Sequence, residues 1–107
     1  MAWEVNGYDI AKTENDYGIE LPLELSGMTL GAQDCIKIIF KDKKNGEVIL
    51  EKDFDNIQHN TVNIVFTEEE SALFPVGNYV YSLDWYQDGN FMCNVIGCAN
   101  LRVVDKA

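Results

Sequence analysis

The chain has 107 residues, 47% hydrophobic and 11% aromatic, which is enough for one domain-sized core and excludes intrinsic disorder. Eight basic residues against 18 acidic ones give a formal charge of −10 at pH 7. Phosphate backbones and anionic lipid surfaces are therefore poor partners, whereas a basic protein is a permitted one. No stretch nears the roughly 18 apolar residues of a membrane span, and residues 1–7 lack the basic and apolar regions of a secretory leader.

In chain order, Trp3, Val5, Tyr8 and Ile10 come first, and they fit either a first strand or an arm packed on a neighbouring subunit. Residues 1–16 therefore stand apart from the regular alternation that follows. In residues 17–25, Ile19, Leu21, Leu23 and Leu25 interleave with Glu20, Pro22 and Glu24, the pattern of a half-buried strand. Pro22 has no N–H to donate, which places this strand at a sheet edge. Residues 34–41 repeat the pattern with Ile36, Ile38 and Phe40 against Lys37 and Lys41. Asn45-Gly46 is a hairpin signal, because both residue types tolerate positive φ. The return strand, 47–54, puts Val48, Leu50 and Phe54 on one face and Glu51 and Asp53 on the other, with Lys52 interrupting the apolar side. A loop over 55–60 leads to a strand over 61–66, with Val62, Ile64 and Phe66 inward.

Thr67-Glu68-Glu69-Glu70 matches a capping box, and Pro75-Val76-Gly77 leaves room for one or two helical turns, read as a crossover between sheets. Tyr79, Tyr81, Leu83 and Trp85 then share a strand face up to a turn at Asp88-Gly89-Asn90. The final strand places Phe91, Cys93, Val95, Gly97, Ala99, Leu101 and Val103 on one side, with Gly97 a natural place for a bulge. Six or seven strands with one short helical crossover predict an all-β, immunoglobulin-like two-sheet β-sandwich spanning residues 1–107 as one domain.

Motifs for chemistry are sparse. His59, the one histidine, falls among Asn56, Gln58 and Asn60 in a turn, where a solvated loop side chain accounts for it. No Gly-rich phosphate loop is present, and no nucleophile is accompanied by a recognisable base. Cys35, Cys93 and Cys98 are odd in number, which suits reduced thiols in a cytosolically made chain rather than a disulfide framework. On one continuous strand Cys93 and Cys98 would lie about 16 Å apart on opposite faces, Cys93 buried and Cys98 outward. Asp53, Asp55 and Asn56, and separately Asp84 and Asp88, are calcium-ligand types without an EF-hand spacing. The expectation is no enzyme, no cofactor and no metal.

The outward faces carry more information. Ile39, Ile49, Val65, Val80, Tyr86, Met92, Ile96 and Val104 all fall on the solvent side of the alternation. Contiguous on one sheet, they would form an interaction patch; the competing reading is partial burial under the N-terminal arm or the crossover.

The order of these motifs resembles the small immunoglobulin-like domains of tailed-phage and prophage structural proteins, among them the N-terminal domains of upper baseplate proteins. The resemblance runs over residues 8–104. It rests on residues 20–25 leading to Leu30-Gly31-Ala32-Gln33-Asp34, the strand over 36–41, and the Asn45-Gly46-Glu47-Val48 hairpin. It continues through Thr67-Glu68-Glu69-Glu70, Phe74-Pro75-Val76-Gly77-Asn78-Tyr79-Val80-Tyr81, Asp84, Asp88-Gly89-Asn90 and Gly97. It implies a sandwich without enzymatic residues that assembles through strand edges and sheet faces. The implied place is a virion, tail or baseplate assembled in the bacterial host cytoplasm, with other virion or tail proteins, or a second copy, as partners. Such domains are often modules of longer chains, whereas this sequence ends at Val104-Asp105-Lys106-Ala107, so a free-standing accessory subunit is expected. Two rival functions come from other classes. One is an acidic phage-encoded inhibitor of a host nucleic-acid-processing protein, motivated by the charge. The other is a carbohydrate-binding or adhesive module using Tyr79, Tyr81, Trp85 and Tyr86.

Overall fold

The computed structural model describes residues 3–6, 9–18, 20–25, 30–43, 46–55, 57 and 60–105, with the backbone alone for 3–6, 20 and 21. Along these residues run β1 (Trp3–Asn6), β2 (Asp9–Thr13), β3 (Glu20–Glu24), β4 (Asp34–Lys41), β5 (Val48–Phe54), β6 (Thr61–Val65), α1 (Glu68–Ser71), β7 (Gly77–Gln87) and β8 (Asn90–Val104). The architecture is an all-β, two-sheet sandwich. The six expected strands are present, and the N-terminal residues supply two more.

One sheet has six strands in the order β1-β2-β8-β7-β4-β5, and the other pairs β3 with β6. All pairings are antiparallel except β2 with β8. Alternation makes the layers: Ile36, Ile38 and Phe40 of β4 are 0% exposed, and they meet Leu23, Val62 and Ile64 from the smaller sheet. A cluster of rings fastens one end of this interior. Phe40 lies 5.4 Å from Phe66, 5.6 Å from Phe74 and 5.7 Å from Tyr81, centroid to centroid. At the step into β7, Tyr79 donates its hydroxyl to Pro75 O at 2.6 Å, pinning the entry of that strand to the turn before it.

Local chemistry explains the punctuation. Thr67 Oγ1 accepts from the Glu70 N–H while the Glu70 carboxylate accepts from the Thr67 N–H, so the capping box is complete and α1 starts there. Asp88 and Gly89 have φ of 52° and 80°, the left-handed pair that a two-residue hairpin between Gln87 and Asn90 requires. Leu25 donates to Asn60 O at 2.8 Å, so alternate β3 residues bond to β6, and Pro22, paired across Asn63, turns its missing donor to the outer edge. The edge position expected from Pro22 follows directly.

Two lysine side chains reach towards the interior. Lys12 of β2 is 0% exposed; its Nζ donates to Thr13 O and Ser71 Oγ, each at 3.0 Å, and sits 5.8 Å from the Phe66 ring centre. Ser71 in turn donates to Asp16 O at 2.9 Å, tying the N-terminal strand to α1. Lys52, the residue that interrupts the apolar face of β5, donates to Val65 O and to Glu70 Oε1, both at 2.7 Å. Its aliphatic stem lies on the core side while its charge bridges the open side of the sandwich.

Two irregularities depart from simple alternation. β4 pairs Phe40 with Leu50 but Lys41 with Val48, so Ile49 is the extra residue of a bulge. Ile49 accordingly packs against the core, and Val48, expected inward, is 50% exposed. Along β7 and β8 the register shifts three times between Tyr81 and Tyr86. Ala99, Leu101 and Val103 face inward as expected, but the shift beside Gly97 reverses the parity, so Ile96 is 6% exposed and belongs to the core.

Candidate interaction surface

The seven residues Ile39, Ile49, Val65, Val80, Tyr86, Met92 and Ile96, expected as an outward patch, separate into three groups. Val65 sits on β6, in the other layer from the rest, so it cannot be continuous with them. Ile49 and Ile96 turn inward at bulges, as described. Ile39, Val80, Tyr86 and Met92 remain on the six-stranded sheet, on β4, β7 and β8. Val104, at the end of β8, is half-buried.

Ile39 and Val80 line a hollow of about 120 Å³ with Lys41, Tyr81, Ser82, Gly97 and Cys98. Gly97 lines it at the bulge, where a Cβ would come within 3.3 Å of Asn94 Oδ1. Tyr86 lines a second, more open hollow of about 300 Å³ with Cys35, Lys37, Asp53 and Gly89. The Lys37 Nζ stands 5.6 Å from the centre of the Tyr86 ring.

Beyond Tyr86 the β7–β8 hairpin presents two large apolar side chains to solvent: Phe91 is 56% exposed and Met92 44%. Tyr86 and Phe91 meet edge to face, 5.6 Å apart at 74°. Alternation alone puts Phe91 and Cys93 inside; the register slip between Trp85 and Tyr86 carries Phe91 to the Tyr86 face, while Cys93, paired with Trp85 before the slip, is exposed without changing face. The signal for this was legible, since two consecutive large apolar residues directly after Asp88-Gly89-Asn90 cannot both face inward on an alternating strand.

The hairpin is held in place by a buried carboxylate. Asp34 is 5% exposed; its Oδ1 accepts from Trp85 Nε1 at 2.8 Å and Gln87 Nε2 at 3.3 Å, and its Oδ2 from the Gly31 N–H at 2.7 Å. The indole hydrogen bond first, and the Gly31 amide second, hold this carboxyl below its ordinary pKa against the cost of burial. The Asp88 N–H donates to Gln33 O at 3.1 Å, so the loop before β4 is tied to the hairpin tip. Further along, Asn94 Nδ2 reaches Asp84 Oδ1 at 2.8 Å, and Leu83 O and Ile96 O at 3.2 Å each, bracing the irregular stretch of β8.

No family model, curated protein or solved structure matches the chain.

The remaining candidate ligands are dispersed. His59 and Asn56 lie outside the described residues, and among the described residues no three histidine, cysteine, aspartate or glutamate side chains gather. Cys35 is half-buried, Cys93 and Cys98 exposed. What the surface offers is apolar area, an aromatic edge and a preorganised backbone, which are groups for binding.

Proposed function

We propose that the chain is a phage or prophage structural or accessory protein that acts by binding other virion or tail proteins and performs no catalysis. The observation that carries the binding role is the Tyr86–Phe91–Met92 tip. A small acidic sandwich leaves Phe91 56% exposed and Met92 44% exposed, on a hairpin that Asp34 holds rigidly from within. Aromatic and methionine side chains on a preorganised element are the usual anchors of a protein interface. The placement in a phage particle is supported by the resemblance of residues 8–104 to immunoglobulin-like tail domains.

Mass spectrometry of purified particles tests this reading. The chain is expected at a fixed ratio to a tail protein, and a Phe91→Ala/Met92→Ala double variant is expected to leave the particle while remaining folded. Particles that lack the wild-type chain count against a structural role.

The formal charge of −10 favours a second reading, an acidic inhibitor of a host nucleic-acid-processing protein. It requires salt-sensitive capture of a basic host enzyme and loss of that enzyme's binding to nucleic acid. A carbohydrate platform has less support, because Tyr81 is 1% exposed and the Tyr79 hydroxyl is engaged with Pro75 O.

A further inference from the structure

The sandwich has four strands with an outer edge, and they differ in what they offer a neighbour. β3 and β6 bound the small sheet, and β1 and β5 bound the large one. Pro22 removes a donor from the middle of the β3 edge. On β6, Val65 O is already taken by Lys52 Nζ at 2.7 Å. β1 is four residues long. β5 has seven residues, no proline, and no further strand beyond it among the described residues.

The side chains of β5 show an unfinished layer. Its partner β4 alternates cleanly between buried and half-buried residues, whereas no residue of β5 is fully buried. Leu50 and Phe54 pack on the core from one face yet keep part of their surface in solvent. On the opposite face Glu51 and Asp53 are exposed, across from Ile39 and Lys37. The intervening Lys52 is committed to Val65 and Glu70, so the edge itself presents negative charge alternating with uncovered apolar area.

We infer that β5 accepts an extended segment of a partner protein as an additional strand of the large sheet. The segment's side chains alternate between Lys or Arg and aliphatic residues. The aliphatic side chains would finish covering Leu50 and Phe54, and the basic ones would stand beside Glu51 and Asp53, as cross-strand pairs do. A second copy of β5 is the wrong occupant. Self-pairing keeps each face together, so it would set Glu51 and Asp53 against the same carboxylates, and Lys37, already across from Asp53 on β4, would offset only part of that repulsion. The chain's overall charge steers a basic segment towards this edge from a distance. Strand addition at β5 does not depend on whether the chain is carried in a particle.

The probe is a capped peptide of about nine residues alternating lysine and valine, titrated into the isotope-labelled full chain with amide exchange followed by NMR. Shifts and slowed exchange are expected along β5, with none along β3 or β6. A Glu51→Lys/Asp53→Lys variant is expected to bind this peptide at least about tenfold more weakly, and to bind a glutamate–valine peptide in its place. That exchange of preference keeps the test valid even if the variant is less stable. Shifts confined to β3, β6 or the hairpin tip, equal binding of an all-lysine peptide, or no slowing of β5 amides would each overturn it.

Discussion

Lys52 Nζ lies 2.7 Å from Glu70 Oε1, and through this contact an edge strand of the large sheet is fastened to the capping box of α1. The same ammonium satisfies Val65 O and the same carboxylate oxygen accepts from the Thr67 N–H, so β5, β6 and α1 meet at two side chains. Removing Lys52 strands a partly buried carbonyl, so Lys52→Ala is expected to cost about 1–2 kcal/mol in urea unfolding. Glu70→Gln keeps an acceptor at the cap and is expected to cost less than Glu70→Ala, which loses the cap and the bridge together. Equal losses for the two Glu70 variants would show that the cap carries none of the effect.

Asp34 makes a separate prediction about acid. Its folded-state pKa lies below the ordinary carboxylate value, chiefly because of Trp85 and then Gly31. The stabilisation linked to that shift is whole above the unfolded-state pKa, near 4, and drains away as pH falls through it towards the folded-state value. Glu70 contributes with the same sign: burial raises its pKa, but Lys52 and Thr67 together outweigh that and hold it low. Urea midpoints measured from pH 6 down to about pH 3 should therefore fall, and Asp34→Asn should flatten part of that slope. Asp34→Ala leaves the Trp85 and Gly31 donors without their partner, at about 2 kcal/mol, and should speed amide exchange across residues 85–91.

Much of the fold was legible because its signals are local. Pro22 announced an edge, Thr67 and Glu70 a helix start, and Asp88-Gly89 a hairpin, each through chemistry that operates within a few residues. The candidate surface was legible only in part, because a face is a sum of parities and one bulge reverses every parity beyond it. Ile49 and Ile96 left the outer face for that reason, and Phe91 arrived on it. Val65 shows a second limit: alternation says which side of its own strand a residue occupies, but pairing partners decide which sheet the strand joins. Lys12 shows a third, since its burial depends on Ser71, 59 positions away.

The three thiols should separate in a labelling experiment. Cys93 and Cys98 are exposed, whereas Cys35 is half-buried. Burial first, and the Asp53 carboxylate second, push the Cys35 thiol above its ordinary pKa. Thiolate is the reactive form, so a disulfide reagent at pH 7.5 is expected to modify Cys93 and Cys98 in a fast phase and Cys35 in a slow one. A Cys93→Ser/Cys98→Ser variant should retain only the slow phase; a fast phase in that variant would place Cys35 at the surface.

Lys12 gives the prediction with the least intuitive sign. Burial lowers its pKa, and the nearby Asp16 and Glu14 carboxylates pull in the opposite direction without prevailing. A base whose folded-state pKa is depressed binds fewer protons folded than unfolded across the interval between the two values. Its contribution to stability therefore rises with pH in that interval, up to the unfolded value near 10.4. Cys35 and Tyr79 titrate nearby in pH, and their raised values act in the reverse direction, so the wild-type curve alone mixes three groups. The difference between wild type and Lys12→Met isolates the lysine. Methionine keeps the volume above Phe66 and removes the buried charge, although Ser71 Oγ loses a donor. At pH 7 the variant is expected to match the wild type within about 1 kcal/mol or exceed it, and its advantage should shrink as pH rises towards 10. Thermal or urea unfolding at a series of pH values reads this directly. An advantage that grows with pH would mean that the ammonium stabilises the folded chain, and that its contacts outweigh the cost of burying it.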